Sequence, residues 1–232
     1  FEPFILISVI TSAALIPILL TKRKAPTFKK ISTMSLREAF VSSPFGIVSS
    51  FFYGTIQSAL FTLLAVYSAS MNFTIFEISF VTFLLAVSGA ISQFPIGKLS
   101  DLYDRRKVIV ITTFGAAILS LCCIFSVGLM YLPEGHATTK NWFFLFITLF
   151  SFCSLPMFSL ILAHTNDFIP KEKFVAAGAS LQFTFGMGAM GGPFLCSIFM
   201  GIVGANGFFI FLIFFHSLIG LYGIYRSRVR PV

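Results

Sequence analysis

Residues 174–225 read FVAAGASLQFTFGMGAMGGPFLCSIFMGIVGANGFFIFLIFFHSLIGLYGIY, a stretch of 52 residues without one Asp, Glu, Lys or Arg. As one helix, at about 1.5 Å per residue, it would be more than twice as long as the roughly 30 Å hydrocarbon core of a bilayer is thick. Turn-forming residues interrupt it at Gly201, Gly204, Asn206 and Gly207. The stretch therefore predicts two membrane-spanning helices, at 175–200 and 208–225.

The rest of the chain has the same apolar character. It is 57% hydrophobic and 10% charged, whereas soluble domains average about 45–50% and about 25%. Uncharged runs predict five more spans, at 3–20, 44–69, 78–97, 108–132 and 141–163. The first is short, and we expect Pro17 to kink it. Barrel strands are excluded because they alternate apolar and polar residues. The sequence thus predicts an all-α membrane protein with seven transmembrane helices.

The basic residues predict the orientation of these spans. Lys and Arg total 16 against 8 Asp and Glu. All the basic residues except Lys140 lie in alternate loops or after the last span, so the positive-inside rule places those loops and the C-terminus in the cytoplasm. Because topology accounts for the net charge of +8, the expected partner is the lipid bilayer, and we expect no nucleic acid.

Several chemical functions are disfavoured by the placement of reactive residues. The cysteines lie inside predicted spans, so we expect no disulfide framework and no metal site. The glycines of 186–191 have GxGxxG spacing, but a dinucleotide site needs a strand before them and an acid after them. Ionisable residues are confined to the edges of the spans. We therefore expect no cofactor and no enzymatic activity.

One loop carries a recognisable motif. Between the third and fourth predicted spans the chain reads GKLSDLYDRRK, from Gly97 to Lys107. This stretch resembles the G-x-L-[SAG]-D-[RK]-x-[GD]-R-[RK] loop of the major facilitator superfamily, and departs from it at Leu102, where the family has Arg or Lys. The resemblance implies a gating loop formed by Gly97, Asp101, Asp104, Arg105 and Arg106.

In that superfamily the loop occurs between helices 2 and 3 and again between helices 8 and 9. A match to the second copy implies the end of helix 6 at 1–20, a cytoplasmic linker at 21–43, the C-terminal six-helix bundle at 44–226 and a tail at 227–232. The N-terminal six-helix half would then be a missing partner. The AHTND stretch at 163–167 and the glycines that follow are similar to the YcaD-like branch, which implies a bacterial cytoplasmic membrane.

Polar side chains inside the spans are the candidates for a substrate cavity. Tyr53, Gln57 and Phe61 follow one another at intervals of four on one face of the second span, and Gln182 lies in the sixth. A buried amide needs a partner or water, and the resemblance implies that the second span lines the central cavity. For both glutamines two roles remain possible: contact with the substrate, or a hydrogen bond to a neighbouring helix.

Two further groups lie near helix ends and contacts. The first group, at the end of the fifth span, consists of His164, Asn166 and Asp167. For this group a helix cap with an ion pair to Arg105 or Arg106 is favoured over a proton relay. Small residues let helices pack closely in lipid, so a close contact, mobile or static, is expected at Gly186, Gly188, Gly191, Gly192 and Pro193.

These observations favour one function over another. A secondary transporter moves a small solute across the membrane by alternating access between two helical bundles, and the family resemblance implies this activity. A free-standing seven-helix receptor is the alternative, since seven spans also fit that topology. The receptor leaves the loop at 97–107 unexplained.

Overall fold

The structure, a computed structural model, describes residues 2–20, 33–130 and 136–229, and the regular secondary structure in these ranges is helical. The chain divides into two compact units, between residues 31 and 32. The helices are α1 (Glu2–Ala13), α2 (Ile16–Leu19), α3 (Leu36–Ser42), α4 (Pro44–Ser70), α5 (Ile75–Leu102), α6 (Arg105–Met130), α7 (His136–Ser154), α8 (Met157–Asn166), α9 (Phe174–Val203) and α10 (Gly207–Val229), with a short 3-10 turn at Lys171–Lys173 before α9.

Within the described residues, the first unit contains α1 and α2. α1 has 12 residues and extends about 18 Å, less than a bilayer core requires. The helix is interrupted at residues 14–15, and Pro17 lies in the first turn of α2, where its missing N–H costs least. The span predicted at 3–20, and with it the count of seven, is therefore not confirmed. Of the linker predicted at 21–43, residues 21–32 lie outside the described residues.

The second unit carries the transmembrane helices. Six helical segments among the described residues are long and apolar enough to cross a membrane: Pro44–Ser70, Ile75–Leu102, Arg105–Gly128, Lys140–Asn166, Lys171–Val203 and Gly207–Val229. Each overlaps one of the six predicted spans that follow residue 43. Large apolar side chains on their outer faces, such as Phe94 and Met190, are at least four-fifths exposed. Lipid is the solvent that such surfaces require, and the all-helical membrane fold is confirmed.

The span predicted at 141–163 is interrupted in its middle. α7 ends at Ser154 and α8 begins at Met157. Pro156 supplies no N–H, and its ring collides with the carbonyl four residues earlier in a regular helix. Within the described residues, the fifth crossing is thus two helices joined at residues 155–156.

α4 and α9 approach each other backbone to backbone at three glycines. A Cβ atom at Gly188 would overlap the carbonyl oxygen of Phe51, and one at Gly192 would overlap that of Thr55. Gly54 makes the reciprocal approach, because a Cβ there would overlap the backbone of α9. Helices that cross lipid gain attraction mainly from such packing, which requires small residues at the contact.

Hydroxyl groups strengthen the contacts between helices. Ser50 donates to the carbonyl of Leu181 at 2.8 Å, which ties α4 to α9. Between α5 and α7 the bonds are reciprocal: Ser88 donates to the carbonyl of Thr148 and Ser151 to that of Leu85, each at 2.6 Å. The polar atoms of the spans are therefore satisfied largely by neighbouring backbone, as hydrocarbon surroundings demand.

The two ends of the bundle differ in charge. One end carries most of the basic residues, and we call it the basic end. Its described basic residues are Arg37, Lys98, Arg105, Arg106, Lys107, Lys171, Lys173, Arg226 and Arg228. Contacts between Arg106 and Arg226, and between Lys173 and Glu38, show that elements distant in sequence meet there. At the opposite end, Glu77 pairs with Lys140 at 2.7 Å.

The close contact between α4 and α9 predicts a difference among glycines of a single helix. Gly192→Ala should destabilise the protein by roughly 1–3 kcal/mol, because the new methyl group overpacks the contact. Gly186→Ala is the matched control: a Cβ there meets no atom within 4 Å, and alanine favours a helix by up to about 1 kcal/mol. Thermal unfolding of the purified protein in detergent measures both. Equal unfolding temperatures for the two variants would contradict the contact.

Candidate functional site

Two aspartates shape the loop between α5 and α6. Asp101, in the last turn of α5, forms an ion pair at 2.8 Å with Arg105, which lies four residues later at the start of α6. Asp104 accepts the backbone N–H of Arg106 at 2.8 Å, so its carboxylate caps the start of α6. Gly97 lies in α5, where a Cβ would meet nothing within 4 Å. The two acids therefore shape the turn, and Gly97 makes no close approach.

The end of α8 joins this loop through a second ion pair. Arg105 lies 3.4 Å from Asp167, so one guanidinium bridges the carboxylates of Asp101 and Asp167. We name these three residues the charge cluster. It connects α5, α6 and the segment after α8, and it agrees with the ion pair expected for Asp167.

Burial changes the titration of one member of the charge cluster. Burial raises the pKa of the Asp167 carboxyl; Arg105 opposes this shift, and the like charges of Asp101 and Asp104 add to it. Protonation of Asp167 removes its attraction to Arg105. As the pH falls, this bond is therefore lost sooner than a pair formed by an ordinary aspartate would be. The cluster borders a cleft of about 320 Å³.

His164 and Asn166 have other surroundings. His164 is buried, and its ring contacts Phe45 and Phe168 edge to face, with centroids 5.2 and 5.0 Å apart. Asn166 is half-buried at the last position of α8. His164 therefore contributes packing between α4 and the end of α8.

Arg106 differs sharply from its neighbour Arg105. Its residue surface is 4% exposed, and Nη1 donates to the carbonyl of Arg226 at 3.2 Å. The motif alone did not separate the two arginines. The difference arises because adjacent residues of a helix point about 100° apart, which directs Arg106 towards α10 and Arg105 towards α8.

The residues proposed for a substrate cavity lie in different environments. Tyr53 is fully buried and donates to the carbonyl of Leu155 at 3.1 Å. Gln57 is half-buried, whereas Phe61 and Gln182 are exposed on the bundle surface. The structure therefore separates Tyr53, which contacts the interruption between α7 and α8, from the polar residues that a solute could reach.

That interruption is held by three helices, a feature the sequence analysis missed. Besides Tyr53 on α4, His216 on α10 lies 3.0 Å from the hydroxyl of Ser154. The other ring nitrogen of His216 is 2.8 Å from the carbonyl of Leu212, so it is the protonated one and Ser154 donates. From α5, Gly89 leaves the space that the side chain of Leu155 fills. The only sequence signal was Pro156.

The glycines of α9 differ in whether they contact α4. Gly188 and Gly192 form the contact with α4 described above. A Cβ at Gly186 meets nothing within 4 Å, and one at Gly191 meets only Leu195 of the same helix, at 3.9 Å. Pro193 lies inside α9 without ending it. The close contact therefore has a spacing of four residues and does not include Gly191.

No group of three or more His, Cys, Asp or Glu residues suited to a metal ion is present within the ranges the structure describes. The four cysteines are free thiols in helices. The arrangement at the basic end offers reversible ion pairs between helices, and the middle of the bundle offers hydrogen bonds that hold an interrupted helix.

Comparison with known proteins defines the class. The family model described as Major Facilitator Superfamily matches residues 46–232. The chain belongs to this superfamily, as the loop at 97–107 had indicated.

Two relatives of this chain carry names that state the superfamily and no substrate. The chain is 26% identical over 165 residues to "Uncharacterized MFS-type transporter YfkF" of Bacillus subtilis, covering 70% of this chain and 39% of the relative. It is 25% identical over 171 residues to "Uncharacterized MFS-type transporter YE1530" of Yersinia enterocolitica, covering 74% and 41%. The chain thus spans about two fifths of the length of these curated relatives. No solved structure matches it.

The position of Tyr53 predicts a structural role for its hydroxyl group. Tyr53→Phe leaves the carbonyl of Leu155 without this donor, which should cost about 1–3 kcal/mol and lower the unfolding temperature in detergent. Tyr225→Phe is the control, because Tyr225 is exposed near the end of α10. An unchanged unfolding temperature for Tyr53→Phe would contradict this role.

Proposed function

We propose that the complete protein is a secondary transporter that moves a small solute by alternating access, and that this chain supplies its C-terminal half. The observation that carries the proposal is the family match over residues 46–232, which covers the six membrane-crossing segments except for the first two residues of the first. Six helices and about two fifths of a relative's length correspond to one of the two bundles of such a transporter.

The proposed organisation follows from this assignment. Residues 44–226 form the C-terminal bundle, 1–20 the end of the preceding helix, 21–43 the linker and 227–232 the tail. The basic end faces the cytoplasm by the positive-inside rule, and the bacterial origin of both relatives supports a bacterial cytoplasmic membrane. The AHTND stretch at 163–167 supports the YcaD-like branch.

In this mechanism the charge cluster of Asp101, Arg105 and Asp167 stabilises one access state. An exposed ion pair contributes about 0–1 kcal/mol, which alters the balance of two states by up to about fivefold. An ion pair of this strength shifts the equilibrium between the two access states and still leaves both states populated. Gln57 and Gln182 remain the proposed solute contacts, because they are polar and accessible.

The seven-helix receptor is not favoured. The family match accounts for the loop at 97–107, and the described residues contain six helical segments of crossing length. A superfamily member needs a second bundle to enclose a solute, and the relatives' greater length leaves room for one.

Flux measurements on the complete protein test the proposal. Proteoliposomes carrying an imposed proton or sodium gradient should accumulate or lose a solute from a defined mixture, measured by mass spectrometry, and should stop when the gradient is collapsed. Asp101→Asn should change the flux severalfold while the unfolding temperature stays near that of wild type, because the pair is exposed.

Lys98→Gln, a charge change on the same helix, should leave the flux unchanged. If no solute moves under any gradient, the transporter assignment is wrong. If Asp101→Asn transports at the wild-type rate, the charge cluster has no part in the cycle.

A further inference from the structure

Three membrane-crossing helices reach the same level at the basic end. The guanidinium of Arg106, at the start of α6, binds the carbonyl of Arg226, near the end of α10, at 3.2 Å. The ring of Phe45, at the start of α4, lies 6.0 Å from that of Tyr222 on α10. The starts of α4 and α6 and the end of α10 therefore share one depth.

Side chains at this level are those of a membrane–water boundary. The rings of Tyr222 and Tyr225 stack with centroids 6.3 Å apart, and Tyr225 is 58% exposed. Arg226 and Arg228 follow within the last turn of α10. Tyrosines with basic residues next to them are enriched where helices leave the hydrocarbon.

α3 lies at this boundary, and one of its faces is exposed among the residues that the structure describes. A single residue, Ser43, separates it from α4. Ala39 is buried and Glu38 pairs with Lys173, so this face is fixed to the bundle. The other face exposes large apolar side chains, with Leu36 at 41%, Phe40 at 45% and Val41 at 67%. Arg37 is exposed on this same face.

Accessible positive charge lies at the same end of the bundle as this apolar face. At the basic end, Glu38 is paired with Lys173, and Asp101 and Asp167 are paired with Arg105. Other basic residues at this end are accessible: Arg37 on α3 itself, Lys107 on α6, and Arg226 and Arg228 on α10. Arg226 lines a small pocket together with Ser42, the last residue of α3. An apolar helical face with basic neighbours at a membrane boundary matches an anionic lipid surface.

We propose that this surface binds anionic phospholipid. We name it the lipid-docking surface and define it by Leu36, Arg37, Phe40, Val41, Arg226 and Arg228. The apolar side chains of α3 enter the boundary of the acyl chains, and the arginines bind the headgroup phosphate through charge-assisted hydrogen bonds. This function is separate from transport, and only the identity of the leaflet depends on the proposed orientation.

A tryptophan placed on α3 reports its environment in the complete protein. Phe40→Trp adds the reporter and Trp142→Phe removes the single tryptophan of the chain; any tryptophan elsewhere in the complete protein is replaced too. The protein is reconstituted in vesicles of phosphatidylcholine and phosphatidylglycerol. Bromine on the acyl chains of either lipid quenches a tryptophan beside that lipid, and acrylamide quenches one in water. Val41→Trp is the second reporter, should Phe40→Trp fold poorly.

The expected result is strong quenching by brominated phosphatidylglycerol, weaker quenching by brominated phosphatidylcholine, and little quenching by acrylamide. Replacing Arg226 and Arg228 with Gln should reduce the preference for phosphatidylglycerol about fivefold for each charge removed. Lys98→Gln, at the basic end of α5, should retain the preference.

Other outcomes overturn the proposal. Quenching by acrylamide would place α3 in water, and resistance to every quencher would mean that protein covers it. Equal quenching by the two lipids would exclude headgroup recognition, and loss of the preference on adding inorganic phosphate would indicate a small-anion site. Because flux is not measured, failure here leaves the transporter assignment untouched, and failed transport leaves lipid binding testable.

Discussion

The close backbone contact between α4 and α9 is the constraint on which the other features of the bundle depend. In lipid no hydrophobic force draws helices together, so the approach at Gly54, Gly188 and Gly192 supplies packing that larger side chains would prevent. Tyr53 precedes Gly54, and the contact holds its hydroxyl against the carbonyl of Leu155. At the basic end, the start of α9 brings Lys173 to Glu38 of α3. The interrupted helix and the lipid-docking surface therefore both rest on this pair of helices.

Much of the fold could be predicted because charge is excluded from hydrocarbon so strongly. Uncharged runs located the six membrane-crossing segments that the structure describes. The same criterion failed at 3–20, since an apolar run does not show where a helix is interrupted, and α1 ends after 12 residues. It also missed the division of the fifth crossing at Pro156, because proline is tolerated within some transmembrane helices and only the surrounding contacts decide the outcome; Pro193 leaves α9 continuous.

The candidate site was predictable where it is local in sequence. Asp101 and Arg105 are four residues apart on the chain, and their pairing follows from that spacing. Asp167 joins them from a distant helix, which tertiary packing alone determines. Tyr53 and Phe61 share a line on α4 and still differ completely in exposure, because neighbouring helices cover only part of that line. For the same reason, the glycine spacing could not distinguish Gly192, which touches α4, from Gly191, which does not.

The most direct test of the central constraint is the distance between α4 and α9 during activity. Spin labels at Ser70, at the end of α4, and at Ile202, near the end of α9, occupy exposed sites. Pulsed electron paramagnetic resonance of the complete protein in lipid should give one narrow distance distribution that stays the same with and without an ion gradient, because the glycine contact keeps the two helices together. Two distance populations that exchange with the gradient would contradict this, and would show that α4 and α9 move apart.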